Sequence, residues 1–362
     1  MNLTHADILK SEILGSMKEP VQSKYADLWE HAERDLGQDD FADLFGHVRM
    51  IYRKTKPEGS VLSEFREHVI RLVPEGKLLM DEVILPYAQA YGEVLKADFE
   101  AASSAGEVNR SLRWLGRVEN RDWVPSALRA IKELRDQPDK LAWFLANLEA
   151  LAAYMMLARE NVNTRIARYR SVLTALELGH GLETPSAGLL LTDDEATHAL
   201  QKLREPLYNP RSSSNPVCSY VLWRANDELA DDGGGTYEPR PTIEHVLPQT
   251  VDEGSEWADL FPDQGERESL VHTIGNLVLL SRRKNSEARN WPFADKKAKY
   301  FLGKGKATTF AITTQVLQEE SWSPDVIRRR TEVIVKRLAR VWGLSPDASA
   351  TDGARSASGT DS

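Results

Sequence analysis

Glutamate and histidine stand side by side at Glu244-His245, followed by Gly275-Asn276 and then by Asn285. Hydrolysis of a phosphodiester in neutral water needs a base to activate the water and a cation to neutralise charge on the phosphate and leaving oxygen. It also needs a scaffold that holds both in line. This set can supply all three, and His245 has the proton affinity that suits a base near neutral pH. The flanking segments 242–247 and 273–280 are short, apolar and β-branched, so both read as strands, separated by a polar stretch containing Trp257. Adjacent side chains on a strand point to opposite faces. Glu244 and His245 therefore share a site only if the backbone bends or bulges between them.

A dense positive stretch follows. Between residues 282 and 306, Arg282, Arg283, Lys284, Arg289, Lys296, Lys297, Lys299, Lys304 and Lys306 face only Glu287 and Asp295, a surplus of seven. Residues 328–340 add six basic side chains against Glu332. Such density attracts a polyanion and makes the binding salt-dependent, although the whole chain carries a net charge of -9. Arg282, Arg283, Lys284, Lys296 and Lys297 are the candidate nucleic-acid contacts. His272, four residues before Asn276, either joins them at a phosphate or packs as a loop histidine at the strand start.

The elements that must position these groups are mostly helical. From Leu3 to about Leu178 apolar residues recur three and four apart, with Pro or Gly mostly at the joints. Helices are expected over 6–17, 24–34, 63–72, 77–95, 108–118, 124–135 and 141–158, and further on over 217–229, 294–302 and 325–341. Thr192 to Glu195 has the form of a capped helix start. Trp114, Trp123 and Trp143 fit core packing. Arg110, Arg113, Arg117 and Arg121 read as a surface ion-pair network, with a DNA-facing row as the alternative. Asp231 to Pro241 is a Gly/Pro loop without the Lys-Ser/Thr ending of a phosphate cradle, and Gly303 to Thr308 lacks that spacing too.

At 362 residues, with 41% hydrophobic and 28% charged residues, the chain has the composition of a globular protein. Its single cysteine, Cys218, excludes an internal disulfide framework and a four-cysteine zinc site. There is no run of about 18 apolar residues and no apolar signal core at the N-terminus, so no membrane association and a cytoplasmic location are expected.

The segments TIEHVLPQ (242–249) and HTIGNLVLL (272–280), with Asn285, Trp-Pro-Phe, Lys296-Lys297 and Tyr300, resemble the C-terminal HNH nuclease region of GmrSD-type restriction endonucleases. The likeness is strong over 242–300 and extends weakly back to about Arg165. It implies an α-rich nuclease domain over 161–343 with a ββα-metal finger at about 242–302; the helical periodicity adds a scaffold over 1–160, and the near absence of large apolar residues beyond Leu344 a disordered tail over 344–362, so a mainly α protein is expected. By this resemblance His245 is the general base, and Glu244 and Asn285 are ligands of Mg²⁺, for which Mn²⁺ is expected to substitute. Asn276 braces the loop and orients the base, completing an H-N-N pattern.

The resemblance also implies a partner and a role. Leu3 to Lys10 looks like the segment that follows the ParB-like NTPase domain in the same proteins, so an N-terminal NTPase and sensor half is expected to precede this chain or to act separately. The layout is similar, too, to the nicking effectors of phosphorothioate-sensing defence. The implied activity is cutting or nicking of double-stranded phage DNA as the effector of a bacterial antiphage system. An RNA-cleaving HNH nuclease and a non-catalytic DNA-binding adaptor are the alternatives.

Overall fold

The computed structural model describes residues 4–230, 241–280, 290–301 and 310–344, with Lys299 and Tyr300 described by their backbone alone. The Gly/Pro loop, Arg282, Arg283, Lys284 and Asn285, the 303–308 segment and the tail lie outside the described residues. The described chain is mainly helical, with one two-stranded sheet. It divides into two units, Met1–Met155 with Arg159–Leu191, and Met156–Ala158 with Thr192–Ser362. No described helix is long and apolar enough to cross a membrane.

The first unit is helical throughout. Its first helix, His5–Gly15, is closed by a capping box in which the Thr4 hydroxyl accepts from the Asp7 amide and the Asp7 carboxylate accepts from the Thr4 amide. In the Gln38–Arg53 helix, Phe41, Leu44, Phe45, Val48 and Ile51 fall at helical spacing and are all buried. Phe41 and Phe45 meet Trp29 and Phe65 in one aromatic cluster. Chain from Gly76 to Lys96 is continuous helix with a wide π turn at Met80–Ile84. Pro86, just after that turn, has no N–H to donate, and the widened turn accommodates its ring.

Trp114 and Trp123 are buried and Trp143 is half-buried, as core packing requires. The four arginines do not share one helix. The Ala105–Leu115 helix ends before Arg117, which stacks 4.4 Å over Trp114, while Arg121 lies 3.6 Å from Asp40 and donates to the Tyr91 hydroxyl.

In the second unit the Asp193–Arg204 helix begins with a capping box between Thr192 and Glu195. The Pro216–Leu229 helix starts after Asn215, whose side chain ties the preceding turn to Asn209 and Ser212. Strand β1 (Thr242–His245) pairs antiparallel with β2 (Leu277–Leu280), in a register that sets His245 opposite Leu277 and Glu244 opposite Val278. Every β2 residue is buried, which explains its unbroken Leu-Val-Leu-Leu where a half-exposed strand would alternate. The Ala311–Leu317 helix covers it, with the Thr313 hydroxyl donating to the Leu279 carbonyl at 2.5 Å.

Both strands are shorter than the β-branched pattern suggests. The expected second strand begins as a 3₁₀ turn, Ile274–Asn276, and the first ends at His245 because the next two amides turn to Asn276. The Pro324–Val341 helix lies directly on that turn. A Cβ on Gly275 would run into the Ile327 carbonyl oxygen and the Thr331 hydroxyl, so only glycine permits this approach. Arg330 reaches from the same helix to the Gly275 and Ile312 carbonyls at 3.1 and 3.0 Å and lies over the Trp322 ring. Trp257, Phe261, Phe293 and Trp322 fill the core beneath the sheet.

Candidate active site

His245 is the last residue of β1, and it is 7% exposed. Beyond it the chain leaves the sheet. The Val246 amide donates to the Asn276 carbonyl at 3.0 Å and the Leu247 amide to Asn276 Oδ1 at 2.8 Å. Asn276 is fully buried and spends the rest of its amide on the same frame. Its Nδ2 donates to the Leu247 and Val271 carbonyls at 3.0 and 2.8 Å, and its Oδ1 also accepts from Trp322 Nε1 at 3.1 Å. These bonds fix the backbone on which the histidine sits; the groups that touch the ring are others.

Among the described residues, three side chains contact the imidazole. His272 Nδ1 lies 3.1 Å from His245 Nε2, and Gln249 Nε2 lies 3.3 Å from His245 Nδ1. The Tyr208 ring stands edge-on to His245 at 4.7 Å and stacks against His272 at 5.5 Å. Tyr208 comes from the segment after the Asp193–Arg204 helix, well upstream of the strands. The Leu207 and Tyr208 amides both donate to the His272 carbonyl, at 2.9 and 3.3 Å. Gln249 closes the TIEHVLPQ segment, so the sequence carries a signal for it. Tyr208 has no spacing that would single it out.

Lys296 is buried at 2% exposure beneath the strand end. Its ammonium donates to the Val246 carbonyl at 2.8 Å, stands 3.5 Å from that of His245, and lies 5.1 Å over the Trp257 ring. Burial pushes it down to about 8, and the Glu244 charge opposes that fall. Lys297 donates to the Glu319 carbonyl at 2.6 Å and lies over Phe293. The basic residues of the last helix are engaged as well: Arg328 pairs with Glu266, Arg329 with Glu319, and Arg330 is buried.

Burial, reinforced by His272 and Lys296, pushes the His245 imidazole down to about 3, so it is neutral at neutral pH with a lone pair to offer. Burial also lowers His272. Glu244 is half-buried one residue before the base. Its charge is felt by Lys296 and by the Tyr208 hydroxyl, while the β1–β2 register runs through Glu244 and His245 without the bulge that would turn both to one face. The structure thus brings together His245, His272, Asn276, Lys296 and the field of Glu244.

As an oxygen donor at the edge of this site, Glu244 suits a hard divalent cation. Among the described residues no group of three or more His, Cys, Asp or Glu side chains is placed to hold a metal ion. A neutral imidazole on a backbone locked from below can take a proton from water.

No curated protein matches the chain. Residues 193–337 match the family model of the GmrSD restriction endonucleases, C-terminal domain, a likeness that spans less than half of the chain and takes in every described residue of the site.

Proposed function

We propose that the GmrSD-type region is a metal-dependent DNA endonuclease, acting as the effector of a bacterial antiphage restriction system in the cytoplasm. The observation that carries the reading is the buried His245 imidazole at the end of β1, held against His272 and one residue after Glu244, in a region that matches a restriction-endonuclease domain. In the reaction, His245 takes a proton from water as the water oxygen bonds to phosphorus. The bond from phosphorus to the leaving oxygen breaks, and that oxygen takes up a proton from solvent.

A base with so low a proton affinity would be weak on its own. A phosphodiester brought beside the imidazole adds negative charge and raises that affinity on binding, so the base strengthens where it is needed. Glu244 and Asn285 would hold Mg²⁺, or Mn²⁺ in its place. When bound, the ion supplies neutralisation of charge on the phosphate and the leaving oxygen. Asn276 and Lys296 keep the strand end from which His245 projects in place. Arg282, Arg283 and Lys284 serve the phosphate backbone. Recognition of the DNA to be cut is assigned to an NTPase and sensor half outside this region.

Supercoiled plasmid incubated with the chain in Mg²⁺, Mn²⁺ or EDTA tests the reading, with an RNA substrate in parallel and His245→Ala and Asn285→Ala beside wild type. Metal-dependent relaxation of the plasmid, lost by at least about 100-fold in His245→Ala, is expected. The nicked or linear product form distinguishes a nickase from a double-strand cutter. Binding without cleavage in every metal would replace the nuclease with a DNA-binding adaptor.

A further inference from the structure

The contacts of the His245 ring run in one direction. The amide nitrogen of Gln249 carries only hydrogens, so the His245 Nδ1 it faces at 3.3 Å must accept. A neutral imidazole with a lone pair on Nδ1 carries its hydrogen on Nε2. That hydrogen points at His272 Nδ1, 3.1 Å away, which must accept in turn. Gln249 is exposed and near the surface, whereas the Nε2 side faces a histidine held by its neighbours. The His272 carbonyl receives the Leu207 and Tyr208 amides, and its ring is stacked on Tyr208.

From this order of donors we infer that His272 is the positioning residue of the base: it accepts the Nε2 hydrogen of His245, fixes the tautomer, and leaves Nδ1 as the nitrogen that takes the proton from water. Orientation of a catalytic histidine by an acceptor on its far nitrogen is a general requirement, since the wrong tautomer offers no lone pair to the nucleophile. Here a second imidazole fills the place that a carboxylate or a carbonyl fills elsewhere, and the segment carrying Tyr208 holds it still. The exposed Gln249 amide occupies the position where the nucleophilic water would donate to Nδ1. His272 then does not contact the phosphate. The assignment of a catalytic role rests on the nuclease reading above; the tautomer itself does not.

The test reads the tautomer directly. Nitrogen-15 spectra of the His245 ring near neutral pH, in the full chain, should show an unprotonated Nδ1 and a protonated Nε2. His272→Asn, which sets an amide oxygen close to where Nδ1 stood, should keep that tautomer and cleave plasmid within about threefold of wild type. His272→Leu, which removes the acceptor, should give a mixture of tautomers and slow cleavage by about 100-fold, with little change in the affinity for uncleaved DNA. A protonated Nδ1 in wild type would overturn the inference without any variant being needed. So would a His272→Leu protein that keeps both the tautomer and the rate, or one that loses DNA affinity in place of rate. If wild type shows the expected tautomer but cleaves nothing in any metal, the nuclease reading fails and the positioning contact stands.

Discussion

Asn276 shows how one buried side chain can decide a local structure. Its amide makes both of its donor bonds and accepts twice, so the Val246–Leu247 turn has no better arrangement available. The same logic governs Glu64 in the first unit. Burial alone would raise its carboxyl, but the Glu58 and Gly59 amides donate to it at 2.6 and 2.7 Å and Arg49 pairs with it, so it is drawn down to about 2. The unfolded chain would hold it near 4.5, the ordinary value. The stability it contributes is therefore complete above that value and is lost as pH falls toward 2. Thermal unfolding between those limits should show Tm falling more steeply in wild type than in Glu64→Gln. The substitution should cost on the order of 3 kcal/mol at neutral pH, because it leaves Arg49 buried without its charge partner. Equal slopes in the two proteins would mean that the pair carries no such linkage.

At the level of elements, the approach of the Pro324–Val341 helix to the Ile274–Asn276 turn is the contact on which the site depends. Gly275→Ala forces the new methyl against the Ile327 carbonyl and the Thr331 hydroxyl, which belong to a helix backbone and cannot swing aside. The change should destabilise the second unit by about 1–3 kcal/mol or more, and it should loosen the Asn276 bonds at the same time. Chemical unfolding followed by tryptophan fluorescence would measure it, and a Gly275→Ala protein of unchanged stability would show that the helix yields. Much of this architecture was legible beforehand: helical periodicity announced the helices, and the β-branched runs announced two strands. Their ends were not legible. The ladder stops at His245 because Asn276, thirty residues away in sequence, captures the next amides. Nothing local to the first run encodes that. Tyr208 was hidden for the same reason, since its place beside the two histidines comes from backbone bonds to His272. The pair Lys296-Lys297 was conspicuous as charge, yet both ammonium groups bond to carbonyls.

Across the whole molecule, the net charge of -9 and the local surplus of seven between residues 282 and 306 pull in opposite directions. A distant polyanion meets mostly repulsion, and attraction wins only within about 8–10 Å of the basic segment, where salt no longer screens it. Binding to DNA should therefore be weak and steeply salt-dependent. The engagement of Lys296, Lys297, Arg328 and Arg329 with protein acceptors removes four of the cations that the sequence offers. On the proposed nuclease reading, Arg282, Arg283 and Lys284 are the cations assigned to the phosphate contact. Replacing all three by Gln should lower the slope of log affinity against log salt by about 2–3, since each phosphate contact releases close to one counterion. Fluorescence anisotropy on a labelled duplex, in EDTA so that nothing is cut, would give both slopes. An unchanged slope would move the interface away from the 282–284 segment. A reduced slope with the tautomer of His245 intact would separate the electrostatics of capture from the chemistry that follows.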